Sequence, residues 1–180
     1  MKLYQARIPG IAKEVIELLV KEGSLDVTAE NRAEAELDLV AIMDEFLRRD
    51  RALRESVREQ MHTLGVSYDQ YGKVRSRLAD TRGHPTGDDV GKFLARQFVE
   101  NFMISRFIDE VYADDRNLYK RVLEIVRSHH VNEKAIREEA MQKIKNVEEG
   151  TVEYEIALSQ AIREVKQRYG LVREKGSRNR

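Results

Sequence analysis

Apolar residues recur at spacings of three and four along most of the chain, the signature of helices with one buried face. The first stripe is Ile8, Ile11, Ala12, Val15, Leu18 and Leu19, which predicts a helix over 8–22. Pro9 falls in its first turn, where a missing N–H costs nothing, and Gly23 reads as its stop. Residues 30–63 contain neither Gly nor Pro. There Leu39, Phe46 and Leu53 lie seven apart, with Met43 and Val57 in the companion series. Asp50 occupies a companion position, where a helical seam would carry an apolar residue. Either one long helix runs through, or the helix breaks and Asp50 caps its second half; the reading favours a break or bend. A weaker helix is predicted over 67–80, with Tyr71, Val74 and Leu78 apolar and Gly72 against it.

The strongest punctuation is Gly83-His84-Pro85-Thr86-Gly87-Asp88-Asp89, a loop or linker whose Thr86 or Asp88 can cap the next helix. That helix, expected over 89–111, carries Phe93, Leu94, Phe98, Phe102, Met103, Phe107, Ile108 and Val111. Each large side chain fully buried stabilises by about 1.5–3 kcal/mol, so this face should dominate a core or an interface. Helical stretches follow over 115–130 and 132–146, with Asn132 as a cap between them; the pattern leaves their continuity open. The last helix is predicted over 151–169, capped by Thr151, favoured by Glu153 and Glu155 in its first turn, and ended by Gly170. No run alternates with period two. The predicted fold is all-α, a helical bundle.

A shift of 83 residues lays one half of the chain over the other. Asp50-Arg51-Ala52-Leu53-Arg54-Glu55 falls on Glu133-Lys134-Ala135-Ile136-Arg137-Glu138, each pair identical or chemically similar. Ile42 falls on Ile125 and Tyr71 on Tyr154, and the acidic interruption of the seam recurs. Two pseudo-repeated units are therefore expected, at 1–83 and 89–172, with 84–88 as linker and 173–180 as a basic tail. Two copies make a tandem pair rather than a solenoid.

The opening Met1-Lys2-Leu3 with Arg7-Ile8 and Ala12, then Val57-Arg58-Glu59-Gln60-Met61, resembles the start of the bacterial domain-of-unknown-function family 507. Val147-Glu148-Glu149-Gly150-Thr151-Val152-Glu153-Tyr154 and Arg163-Glu164-Val165-Lys166-Gln167-Arg168-Tyr169-Gly170 are similar to its close. On this resemblance a unit of about 90 residues occurs twice. The first copy departs from the pattern, with Ser67-Tyr68-Asp69-Gln70-Tyr71 where the second has Gly150-Thr151-Val152-Glu153-Tyr154. The resemblance implies a small helical bacterial cytosolic protein and no activity.

Composition narrows the chemistry. The 180 residues hold 32 Lys+Arg against 32 Asp+Glu and no Cys. Disulfides, zinc ribbons, iron–sulfur clusters and thiol catalysis are excluded. No apolar run approaches the ~20 residues that span a bilayer, and the N-terminus lacks the apolar stretch of a signal peptide, so a cytoplasmic setting is expected. Glu59-Gln60-Met61-His62 has the Glu-x-x-His form of di-iron bundles, but Lys145 stands where a second His would be needed, and an exposed helical pair is the expectation. His129 and His130 fall at an expected helix end, His129 at the seam position matching Phe46. Phosphate-binding glycine loops and the nucleophile elbow are absent. Neighbouring carboxylates such as Asp114-Asp115 and Glu148-Glu149 point apart on a helix. No catalytic residue, metal ligand or cofactor is assigned, and the chain is not expected to be an enzyme.

Lys166, Arg168, Arg173, Lys175, Arg178 and Arg180 stand against Glu174 alone, leaving a net charge of −5 on the rest. The segment from Arg173 onward has no apolar residue and is expected to be disordered when free. Arg48, Arg49, Arg51, Arg54 and Arg58 form a second basic cluster, interleaved with carboxylates that suit ion pairs along the helix. The leading expectation is a non-enzymatic protein–protein interaction or assembly protein, self-associating or binding another protein. Its partner or core face is Phe93, Phe98, Phe102 and Phe107. The alternative is a nucleic-acid-associated protein gripping phosphates through its six C-terminal cations.

Overall fold

The computed structural model describes residues 1–172. Its helices are α1 (Ile8–Lys21), α2 (Arg32–Leu64), α3 (Tyr71–Thr81), α4 (Asp89–Phe102), α5 (Asp115–Ser128), α6 (Glu133–Lys143) and α7 (Val152–Arg168). Two short strands, β1 (Leu25–Asp26) and β2 (Glu110–Val111), pair antiparallel. The fold is all-α, as the helical spacing predicts.

The described residues gather into two compact units, Met1–Leu3 with Ile8–His130, and Tyr4–Arg7 with 131–172. The division does not fall at the loop around Pro85, where the sequence places a linker. The reason is the core. Ile11, Val15 and Leu19 of α1, Leu39 and Met43 of α2, Leu94, Phe98 and Phe102 of α4, and Leu118, Val122 and Val126 of α5 share one apolar cluster. Helices from both halves of the chain close over it, so the loop joins parts of one body. In the second unit α6 packs on α7 around Ile136, Ala140, Tyr154, Leu158, Ala161 and Val165, with Tyr4 included.

Within this frame the element order recurs with one change: α1, β1, α2 and α3 of the first half answer α4, β2, α5 with α6, and α7 of the second, so the one long helix of the first half is two helices in the second. Positions 83 apart are buried together: Ile11 and Leu94, Val15 and Phe98, Leu19 and Phe102, Leu39 and Val122, Met43 and Val126, Leu53 and Ile136. The strand register obeys the same relation. Leu25 faces Val111 and Asp26 faces Glu110, and moving every residue by 83 returns the same antiparallel line of pairing.

Two expected elements change. Asp50 neither caps nor breaks a helix, and α2 runs unbroken through it. Leu, Arg and Glu around that point are good helix formers, and Arg54 and Arg75 hold the Asp50 carboxylate from the same turn and from α3. The helix expected over 89–111 ends at Phe102. Its apolar pattern continues into a turn in which the Ser105 hydroxyl donates to Asp38 (2.6 Å) and accepts the Phe107 N–H (3.3 Å). A side chain that bonds nearby backbone offers the chain an alternative to the helix.

Candidate functional site

The best-organised polar cluster lies where α2, α3 and the loop after α3 meet. Asp50 is the interruption in the α2 seam, so its carboxylate points toward α3 rather than to solvent. Its Oδ1 lies 3.0 Å from Arg75 and its Oδ2 3.2 Å from Arg54. Two guanidinium groups thus share one carboxylate. The loop turns back through Gly83, whose φ of +57° suits glycine, and the His84 N–H bonds the Ala79 carbonyl at 2.9 Å. This turn lays the His84 ring flat on Phe46, with ring centres 5.0 Å apart and planes 13° apart. The side chain is 3% exposed. Its Nε2 approaches Asp50 Oδ1 at 3.4 Å, close enough for attraction but without hydrogen-bond geometry, and it has no hydrogen-bond partner. Burial pushes the imidazole pKa below its ordinary value, with Asp50 opposing and Arg49 and Arg75 reinforcing the shift. Nothing here supplies a nucleophile with a base beside it.

Hollows border the cluster, one of them, of about 410 Å³, lined by Asp80, His84, Asp89, Lys92 and Arg96; two others lie closer to Asp50 and to Arg49. One, of about 280 Å³, is bordered by Lys2, Asp50, Arg54 and Arg75 with Phe46 and Val90 as apolar wall. The other, of about 260 Å³, is bordered by Arg49, Ala52, Leu53, Arg82 and His84, and no carboxylate borders it.

The matching hairpin of α6 and α7 is built differently. Asn132 caps α6, accepting the N–H groups of Lys134 and Ala135, and Thr151 caps α7 through the Tyr154 N–H. Glu133, the counterpart of Asp50, lies 3.3 Å from Lys166. Lys166 also sits 5.7 Å above the Tyr4 ring, and Arg168 pairs with Glu139 and lies over Tyr169.

These positions bear on the residues singled out in the sequence. Phe98 and Phe102 are buried in the main cluster, and Phe93 and Phe107 pack half-buried against it. The Phe-rich face is therefore used inside the chain, where α4 rests on α5 and α2. Lys166 and Arg168 are held by Glu133 and Glu139 rather than presented together to an outside anion. Arg173, Lys175, Arg178 and Arg180 lie outside the described residues. Glu59 and His62 are exposed on α2, and among the described residues no group of three His, Asp or Glu side chains is placed to hold a metal. His129 is bound by Glu14 at 2.8 Å, while His130 is exposed.

The sequence reading missed the His84 site and the apolar hairpin turns. His84 stood only as loop punctuation, because its burial arises from a turn that returns to Phe46, a contact 38 residues distant that no local spacing encodes. At the turns Leu64 and Tyr68 flank the α2–α3 connection, 57% and 81% exposed, and Val152 and Ile156 open α7 at 73% and 55%.

Among the described residues no helix is long and apolar enough to cross a membrane. No curated protein matches the chain. The DUF507 family, described as proteins of unknown function, matches residues 1–171 in a single span. One family unit therefore covers both halves, which corrects the expectation of a unit of about 90 residues present twice. With the match running over nearly the whole chain, the chain belongs to the DUF507 family.

Proposed function

We propose that the chain is a non-enzymatic protein–protein interaction or assembly protein whose contact points are the turns of its two hairpins. The observation that carries this reading is the apolar pair at each turn, Leu64 with Tyr68 and Val152 with Ile156. Exposed apolar residues scattered singly are ordinary on a soluble protein. Here a large exposed pair stands at each hairpin end, although the two pairs do not occupy positions 83 apart. Covering such side chains contributes about 1.5–3 kcal/mol each when burial is complete, enough for a few of them to anchor a partner.

The recurring element order and the self-matching strand register support a duplication inside the family unit, so that two related hairpins each offer a contact point. The proposal sets the protein in the bacterial cytoplasm. Where the partner is a second copy, a two-fold arrangement is the default.

The test is an affinity pull-down from the native host with and without nuclease, using the natural chain and a variant carrying Leu64→Ser, Tyr68→Ser, Val152→Ser and Ile156→Ser. The expected result is a protein, or a second copy of the chain, that survives nuclease and is lost with the four-site variant. Recovery of nuclease-sensitive material alone, or full retention of the partner by the variant, overturns the reading. Circular dichroism of the variant confirms that its helices are intact.

A further inference from the structure

We propose that the hollow between α2 and the end of α3, bordered by Arg49, Arg82 and His84, seats a backbone phosphate of a single-stranded nucleic acid, which then tracks along the basic α2–α3 hairpin. This site is separate from the hairpin turns and from the C-terminal cations.

The argument starts with uncompensated charge. Over residues 48–82 the hairpin carries nine Lys+Arg against five Asp+Glu. The matching stretch of the second hairpin, 131–165, carries five against eight. The excess is thus a property of one hairpin and not of the repeat. Its one part-buried carboxylate, Asp50, is already occupied by Arg54 and Arg75. Arg82 donates to the Ser56 hydroxyl at 2.9 Å, a neutral partner that leaves its charge unbalanced. Arg49 makes no ion pair or hydrogen bond among the described residues, and Arg51, Arg58, Lys73 and Arg77 on the same hairpin likewise make none; all five are exposed.

The second observation is the buried ring. His84 lines the hollow with its side chain 3% exposed and an Nε2 that has no hydrogen-bond partner. A buried polar atom without a hydrogen bond is uncommon and costs stability; Nε2 faces the Asp50 carboxylate at 3.4 Å, so an anion in the hollow acts on the ring through its charge. Two guanidinium groups with an imidazole, closed by Ala52 and Leu53, form a site for a small oxyanion. At about 260 Å³ the hollow has room for a phosphate group between the two guanidinium groups. The other four exposed cations, Arg51, Arg58, Lys73 and Arg77, favour a polymer of phosphates over a free ion, because a lone phosphate seated at Arg49 and Arg82 would leave them unused. Phosphate contacts of this kind fix position without reading sequence.

An anion in the hollow also favours the charged imidazole. The groups that face His84 are Asp50 and Arg49 from α2, Arg75, Asp80 and Arg82 from α3 and its end, and Asp89, Lys92 and Arg96 of α4, which with Asp80 line a separate hollow that His84 also borders. Of these only Asp50 is in contact with the ring and favours protonation, so a bound phosphate would be the second such group.

The experiment is fluorescence anisotropy of a labelled 20-mer oligothymidylate over a salt series. It compares the natural chain with the Arg49→Gln/Arg82→Gln variant and with Lys145→Gln/Arg163→Gln on the other hairpin. Loss of two phosphate contacts should weaken binding on the order of tenfold at low salt and reduce the salt slope by about 1.4, while the control pair changes neither. Equal affinity and slope in the Arg49/Arg82 variant, or equal losses in both variants, overturns the proposal. A second measurement needs no variant of the two arginines. The His84 ring resonances, identified by their loss in His84→Gln, are followed by NMR against inorganic phosphate and against the oligonucleotide. The expected result is a shift of the His84 signals toward the protonated form at far lower phosphate-group concentration with the oligonucleotide. A response to inorganic phosphate at equal or lower concentration identifies a free-anion site and overturns the nucleic-acid assignment. No response to either overturns the site itself. None of these readouts depends on a protein partner, so their failure leaves the hairpin-turn reading standing.

Discussion

The two hairpins solve one packing problem in two ways. Leu53, Val57, Met61 and Ala79 bury the face between α2 and α3, and Ile136, Ala140, Tyr154 and Ala161 bury the face between α6 and α7. Leu53 matches Ile136 and Val57 matches Ala140, so the apolar seam is shared. What differs is the joint. The first hairpin begins inside a helix that runs without interruption from the main core, from Arg32 to Leu64. The second begins after a stop at Ser128 and a fresh cap at Asn132. Four residues decide this. Around Asp50 the chain reads Leu47-Arg48-Arg49-Asp50, and around Glu133 it reads His130-Val131-Asn132-Glu133. Arginine and leucine favour the helix interior, whereas asparagine favours its edge and a β-branched valine does not propagate the turn as well. A seam therefore specifies which faces meet, and the residues at the joint specify whether a hairpin is a continuation of the core or an element that folds on its own cap.

The sharpest way to break this contrast is the same substitution at the two equivalent positions. Asp50→Pro removes a backbone bond within α2 and clashes with the preceding turn, at a cost of about 3 kcal/mol or more, and it also frees Arg54 and Arg75. Glu133→Pro places proline at the first position of α6, where its fixed φ is tolerated and no helical bond is lost. Asn132 before it already has ψ of 94°. The bond from the part-buried Lys166 to the Glu133 carboxylate disappears, a smaller loss than the broken helix at Asp50. Urea unfolding of the two variants should separate them clearly. Similar losses would mean that the α5–α6 break is not a joint in solution. Asp50→Asn separates the proline effect from the carboxylate effect.

Core truncation sharpens the comparison next. Leu53→Ala and Ile136→Ala each remove a buried branched side chain and should cost about 2–3 kcal/mol, the low end for such changes because both clusters are small. Their reach should differ. A defect at Leu53 sits in the helix that also carries Leu39 and Met43, so amide exchange should quicken well into α2. A defect at Ile136 should quicken exchange in α6 and α7 and leave α5 protected. Uniform exchange across the chain in both variants would show that the two joints transmit unfolding equally.

Why one of these joints was legible and the other was not follows from the same residues. Asn132 sits at its helix edge with its cap bonds made, and capping is local chemistry that a sequence displays. Asp50 read as a break for an equally local reason, an acid in an apolar series. Its true role depends on Arg75, 25 residues on, and on His84, which reach it only once the hairpin has closed. The end of α4 failed in the same manner, since Ser105 leaves the helix to bond Asp38 from a distant turn. The Phe-rich stripe announced burial without saying against what. Helices, seam and repeat are written in short-range periodicity, whereas the His84 site is assembled by long-range return of the chain.

The cap itself gives the third contrast. Asn132→Ala should cost about 1 kcal/mol, because the N–H groups of Lys134 and Ala135 lose their acceptor. The equivalent residue in the first hairpin is Arg49, exposed inside a continuous helix, where alanine is at least as good a helix former. Arg49→Ala should change stability by no more than about 0.5 kcal/mol. Thermal unfolding checks the pair, and a large cost for Arg49→Ala would indicate a structural duty for that side chain beyond helix formation.

The smallest contrast is a pH response confined to one hairpin. His84 is buried and its folded-state pKa lies below the value near 6.5 of the unfolded chain. Between the two values the unfolded chain binds more protons, so stability is complete above about 6.5 and declines as the pH falls through that interval. The effect is modest because Asp50 offsets part of the burial cost of the charged ring. The matching position on the other hairpin is Gln167, which does not titrate. His84→Gln therefore installs the residue of the second hairpin in the first, and it should remove this contribution to the acid-side loss of stability. Measured by urea unfolding from pH 7.5 down to 5, the natural chain should lose more stability than the variant, with the difference developing below pH 6.5. If instead the variant loses stability as steeply, the acid response belongs to other groups, and the buried imidazole is not what makes the first hairpin sensitive to protons.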